Sequence, residues 1–101
     1  MVGMIELSID TSTRYASVAL SREGEPLWEA CWRSERNHTV ELAPAIESLL
    51  AQAGASPGDL RAVFVALGPG GFSALRVGLS VGKGMAEALD VPLVGVGTLE
   101  V

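Results

Sequence analysis

Cysteine and histidine are almost missing from this sequence, with one of each among 101 residues, Cys31 and His38. A single thiol cannot close an internal disulfide, so no covalent staple is available, and the chain suits a reducing compartment such as the cytoplasm. Cys31 lies in a strand-like stretch, where a buried free thiol is expected. One imidazole cannot assemble a metal centre with so few other ligands. Positive charge is also scarce: seven Lys and Arg stand against twelve Asp and Glu, for a net charge of −5. The basic residues are scattered, so any contact with RNA is expected to be indirect. Long uncharged apolar runs are lacking too. The one glycine-rich apolar segment carries Arg76, Lys83 and Glu87, which excludes a membrane span. Near the start, Ile5, Leu7 and Ile9 alternate with Glu6, Ser8 and Asp10, which is strand periodicity rather than a signal-peptide core.

The composition is otherwise that of a compact globular chain, 49% hydrophobic and 19% charged, and the length supports one domain over 1–101. Residues 4–10 read as a strand, 15–21 as a second and 27–33 as a third. The links are the polar turn Thr11-Ser12-Thr13-Arg14 and the glycine-bearing turn Arg22-Glu23-Gly24-Glu25. Trp28, Ala30 and Trp32 share one face of the third strand. Short turns make these three an antiparallel meander. A helix follows over about 37–53, with Leu42, Ile46, Leu49, Leu50 and Ala53 on one face, Asn37 as N-cap and Gly54 just past the end. Pro44 removes a hydrogen bond within it and predicts a kink or a late, irregular start. Ser56-Pro57-Gly58-Asp59 reads as a capped single turn. The almost wholly apolar runs 62–67 and 92–96 suit parallel strands covered on both faces. A helix over 72–89 joins them in a strand-helix-strand unit. The order β-β-β-α-β-α-β, a five-stranded mixed sheet with helices, is an α/β half-domain of the ribonuclease-H-like (actin-like ATPase) class.

The most informative stretch is the loop Gly68-Pro69-Gly70-Gly71 and the helix after it. That helix places Ala74, Gly78, Gly82 and Ala86 four residues apart on one side. Each interior glycine costs about 1 kcal/mol relative to alanine, so a close approach must offset Gly78, Gly82 and Gly84. A second helix backbone is the expected neighbour, from this domain or from a partner, with Val77, Val81 and Met85 flanking the groove. The polar stripe Ser73, Arg76, Ser80, Lys83 and Glu87 is narrow for a surface helix.

Chemical motifs come close and fail. Gly78 to Gly84 contains Gly82-Lys83, but the spacing is short for a P-loop, no Ser or Thr follows the lysine, and the segment is helical. Gly68-x-Gly70-x-x-Ser73 has the setting of a dinucleotide fingerprint without its third glycine. Its amides suit an anion at a helix start or, as the better reading, a tight structural turn. Gly71-Phe72-Ser73-Ala74-Leu75 lacks the closing glycine of a nucleophile elbow, and a hydrolase triad would depend on His38, which begins the first helix. No catalytic constellation is assigned. Asp10, Thr11, Ser12 and Thr13 form the best remaining candidate, a strand-ending aspartate before a hydroxyl-rich turn, suited to phosphate and its magnesium. The same residues are also ordinary turn formers.

Taken in order, Ile9-Asp10-Thr11-Ser12-Thr13, His38 before a helix with Pro44, Gly68 to Gly78, and Pro92-Leu93-Val94-Gly95-Val96 resemble the TsaB (YeaZ) family along essentially the whole chain. The family pattern Gly-Pro-Gly-Ser-Phe-Thr-Gly-Leu-Arg is met here with Gly71, Ser73 and Ala74 as small-for-small changes. The resemblance implies a noncatalytic subunit of bacterial tRNA N6-threonylcarbamoyladenosine (t6A) synthesis. It would pair with itself or with a TsaD-like protein, alongside a TsaE-like ATPase. TsaD-like chains carry Asn-His-Leu-Glu-Ala-His after the last strand, with metal-binding histidines. Here Gly97-Thr98-Leu99-Glu100-Val101 puts threonine at the first, a poor substitute for imidazole. The family normally has a second domain of similar size, so no cofactor is expected for this chain alone, and ATP with magnesium only with that domain or a partner. The alternative is an ATP-dependent, sugar-kinase-like half-site at Asp10 to Thr13.

Overall fold

The computed structural model describes residues 5–11, 15–33, 38–66 and 72–97, within which the side chains of 38–40 and 72–75 are not described. The strands are β1 (Ile5–Asp10), β2 (Tyr15–Arg22), β3 (Glu25–Arg33), β4 (Leu60–Ala66) and β5 (Leu93–Val96), and the helices α1 (His38–Ala53) and α2 (Phe72–Leu89). They form one five-stranded sheet in the order β3-β2-β1-β4-β5. β1 pairs antiparallel with β2, and β2 with β3; β4 is parallel to both β1 and β5. The expected meander extended by parallel strands is therefore the observed fold.

Period-two alternation builds the core. Ile5, Leu7 and Ile9 of β1 are buried beside Ala16, Val18 and Leu20 of β2 and Val63 and Val65 of β4. Leu42, Ile46, Leu49 and Leu50 of α1 close over the same face, the four positions that the helical spacing singles out. Trp32 on β3 donates its indole N–H to Glu41 Oε1 at 3.1 Å, tying the edge strand to α1. A half-buried indole needs such a partner.

The turns explain where the elements stop. Glu23 and Gly24 both have positive φ, 53° and 86°, the twist that a two-residue hairpin between Arg22 and Glu25 requires. At the end of α1, Gly54 is left-handed (φ 70°), Gly54 N bonds Ala51 O and Ala55 N bonds Leu50 O. This is a Schellman cap, with glycine where it was expected. α2 ends the same way through Asp90 (φ 58°), with Asp90 N on Glu87 O and Val91 N on Ala86 O. No glycine signals that stop, and Pro92 follows it.

Three expectations need correction. α1 runs unbroken across Pro44 from His38, so the late start does not occur. Pro44 lies in the second turn, where it removes its own N–H from the ladder and crowds the carbonyl one turn back, while Leu42 and Ile46 on either side are buried in the core. Cys31 is exposed rather than buried, because it pairs with Ser17 on the edge strand, on the face away from the helices. The parallel pair is not covered on both faces among the described residues. Val94 and Val96 of β5 are 38% and 46% exposed, since α1 and α2 lie on the same side of the sheet.

Candidate functional site

Helix α2 has three longitudinal stripes. Gly78, Gly82 and Ala86 are buried; Val77, Val81 and Met85 are half-buried; Arg76, Ser80, Lys83 and Glu87 are exposed. What fills the small stripe is not a second helix. A Cβ on Gly82 would lie 2.6 Å from Val65 Cγ2 and 3.3 Å from Leu93 Cδ1, and one on Gly78 would lie 2.5 Å from Thr11 Oγ1. Both glycines therefore let α2 settle onto β1, β4 and β5. The neighbour that the sequence predicts is replaced by the protein's own sheet. Helical spacing shows which residues share a side, but not what lies against it. Gly84 differs, with nothing within 4 Å of its added Cβ. The side chain of Ala74 lies outside the described residues.

The flank Val77, Val81 and Met85 turns toward α1 and packs on the margin of the core. Between the helices an open groove of about 240 Å³ remains, lined by Ala43, Ile46, Glu47, Leu50, Pro57, Val81 and Met85. Six of these seven side chains are apolar, so the groove suits an apolar ridge from another element rather than a charged ligand.

The phosphate-turn candidate divides at the end of β1. Asp10 points to the face away from the helices and lines a shallow depression with Ser8, Ser17, Ala19, Phe64, Ala66 and Val96. Thr11 is 1% exposed and packs beneath α2 at Gly78. One hydroxyl of the expected turn is thus committed to interior packing. Ser12 and Thr13, the loop Gly68-Pro69-Gly70-Gly71 and Thr98 lie outside the described residues, as do the side chains of Ser73 and His38. Among the described residues, no group of three or more His, Cys, Asp and Glu stands where it could hold a metal ion. No helix there is long and apolar enough to cross a membrane.

A polar cluster that the strand pattern does not announce lies at the other end of β1. Glu6 is 4% exposed. It accepts from Arg61 Nε at 2.6 Å, Ser21 Oγ at 3.0 Å and the Glu23 backbone N–H at 3.3 Å. Burial raises its carboxyl, but the Ser21 hydroxyl, the Arg61 guanidinium and the Glu23 amide together hold it below the usual glutamate value. The only sequence signal is a charged residue within the alternation of β1, since Arg61 falls at the irregularity between the pairs Ile5–Leu60 and Glu6–Ala62 and is not in register with it. The cluster closes on itself and is structural.

Sheet order, helix placement and the glycine contacts define the class: a ribonuclease-H-like α/β half-domain. Thermus thermophilus RuvC, 14% identical, superposes with a TM-score of 0.64 over 93% of this chain and 64% of its own, a likeness of fold alone. The family model described as "TsaD: tRNA N6-adenosine threonylcarbamoyltransferase" matches residues 33–101. YeaZ from Pseudomonas aeruginosa superposes with a TM-score of 0.87 at 35% identity, covering 95% of this chain and 45% of its own. The Bacillus subtilis (strain 168) tRNA threonylcarbamoyladenosine biosynthesis protein TsaB is 38% identical over 96% of this chain and 42% of its own length. The chain belongs to the TsaB (YeaZ) family, and it spans less than half the length of the relatives it matches.

Proposed function

We propose that this chain is the N-terminal domain of a TsaB-like subunit of the t6A synthesis machinery. It acts in the cytoplasm without catalysis of its own, by pairing with a TsaD-like transferase or with a second copy of itself, with tRNA contacted only through the assembly. A second domain of similar size completes the subunit, and a TsaE-like ATPase belongs to the full complex. The observation that carries this reading is the apolar groove between α1 and α2. It offers Val81 and Met85 beside Ile46 and Leu50, a helix-pair surface of the kind that a facing helix pair fills. The pairing surface is thus the Val77, Val81 and Met85 flank with α1, while Gly78, Gly82 and Ala86 hold α2 on the sheet. Absence of catalysis is supported by Thr98 standing where TsaD-like chains carry a metal-binding histidine.

The test is association with the TsaD-like transferase of the same organism, measured by isothermal titration and sedimentation. The Val81→Lys and Met85→Lys double variant should weaken pairing by at least about tenfold, a loss of roughly 1.4 kcal/mol or more, with thermal unfolding still cooperative. Unchanged association of the folded double variant would remove the basis for this surface.

A further inference from the structure

Among the residues lining the groove between α1 and α2, Glu47 alone is charged. It is exposed on the wall of the groove, beside the buried Ile46 and Leu50 and across from the half-buried Val81 and Met85. No cation of α1 balances it, because residues 39–53 contain no Lys or Arg. The other acid of α1, Glu41, is turned the opposite way and accepts from the Trp32 indole on β3. The cations of α2 stand elsewhere. At about 100° per residue, Arg76 and Lys83 lie roughly 140° and 160° round the helix from Val81, on the side away from α1.

We infer that Glu47 sets which partner this surface accepts. It disfavours a second copy and favours a different protein whose facing helix carries an Arg or Lys between large apolar side chains. This rests on the pairing surface proposed above and decides between its two occupants. Two identical chains pair about a two-fold axis, and residues near the axis meet their own counterparts. The groove is the middle of the α1–α2 surface, so the axis runs close to it and brings Glu47 against its counterpart. Two carboxylates would then lose water together among apolar side chains, with no cation of either copy turned toward them. A facing Arg or Lys reverses the sign: the carboxylate accepts a charge-assisted hydrogen bond, and a guanidinium matches its geometry best. One side chain thus both penalises the wrong partner and rewards the right one.

Sedimentation of the 101-residue chain and titration against the TsaD-like transferase test this together. Glu47 is exposed, so its substitution leaves the core intact. Glu47→Gln keeps the size and removes the charge. It should tighten self-association about tenfold and weaken binding of the transferase about tenfold. A mixture of the parent with a Glu47→Lys variant should form a mixed pair about tenfold tighter than either chain forms with itself. The proposal is overturned if Glu47→Gln self-associates no more tightly than the parent, or binds the transferase as well as the parent does. It is overturned equally if the mixed pair is no tighter than the self-pairs. The Val81→Lys and Met85→Lys double variant separates this from the pairing surface itself. If the double variant keeps both affinities, the α1–α2 surface is wrong and the role of Glu47 falls with it. If the double variant loses them while Glu47→Gln behaves as the parent, the surface stands and only the role of Glu47 falls.

Discussion

The two faces of the sheet use the same five strands, yet one is a finished interior and the other is not. On the helix side, Leu7, Ile9, Val18, Leu20, Val63 and Val65 are at most 1% exposed. On the other side, Ser8, Ser17 and Ala19 alternate with them along the same strands and floor an open depression. Alternation divides residues between faces, but it does not say which face receives the helices. Here both connections return to the same side, and the apolar residues of β5 on the far side stay exposed. Burial is thus a property of the connections as much as of the strands.

The sharpest way to break this contrast is Gly82→Leu. Its Cβ would lie 2.6 Å from a methyl of Val65, a stiff β-branched side chain in a central strand, so α2 must lift from the sheet. A loss of about 3 kcal/mol is expected in urea unfolding. A variant as stable as the parent would show that α2 does not rest on the sheet through this glycine.

A smaller effect belongs to the far face. Glu6→Gln removes the charge that Arg61, Ser21 and the Glu23 amide share, and should cost about 1.5 kcal/mol at neutral pH. Because the folded carboxyl is held below its unfolded value, its contribution is fully present above the usual glutamate range. It is lost as pH falls through the folded value. The stability gap between parent and variant should therefore close in acid; a gap that stays constant there would contradict the charge-based account.

The smallest change goes the other way. Gly84 has open space around it, so Gly84→Ala should raise stability by about 1 kcal/mol by removing a weak helix former. If Gly84→Ala is instead as damaging as a change at Gly82, the division of α2 into a seated and a free side is wrong.

Most of the fold was legible because its signals are local. Ile5, Leu7 and Ile9 alternate as a strand must, Gly54 marks the end of α1, and Leu42, Ile46, Leu49 and Leu50 recur at helical spacing. What escaped was relational. The stripe Gly78, Gly82 and Ala86 announces a close neighbour but cannot name it, because sequence spacing carries no information about the opposing surface. Cys31 reads as a core residue because a free thiol in a strand is usually buried, yet it is exposed on the edge strand. Asp90 ends α2 in a left-handed conformation that glycine usually signals. Of the candidate phosphate turn, Asp10 and Thr11 were taken together, and the chain turns them to opposite sides of the sheet.

No methyl group separates Gly78 from the hydroxyl of Thr11. Without that spacer, the last residue of the β1 segment and the middle of α2 have no slack between them. A side chain at position 78 would have to displace that hydroxyl, so the two positions can change only as a pair.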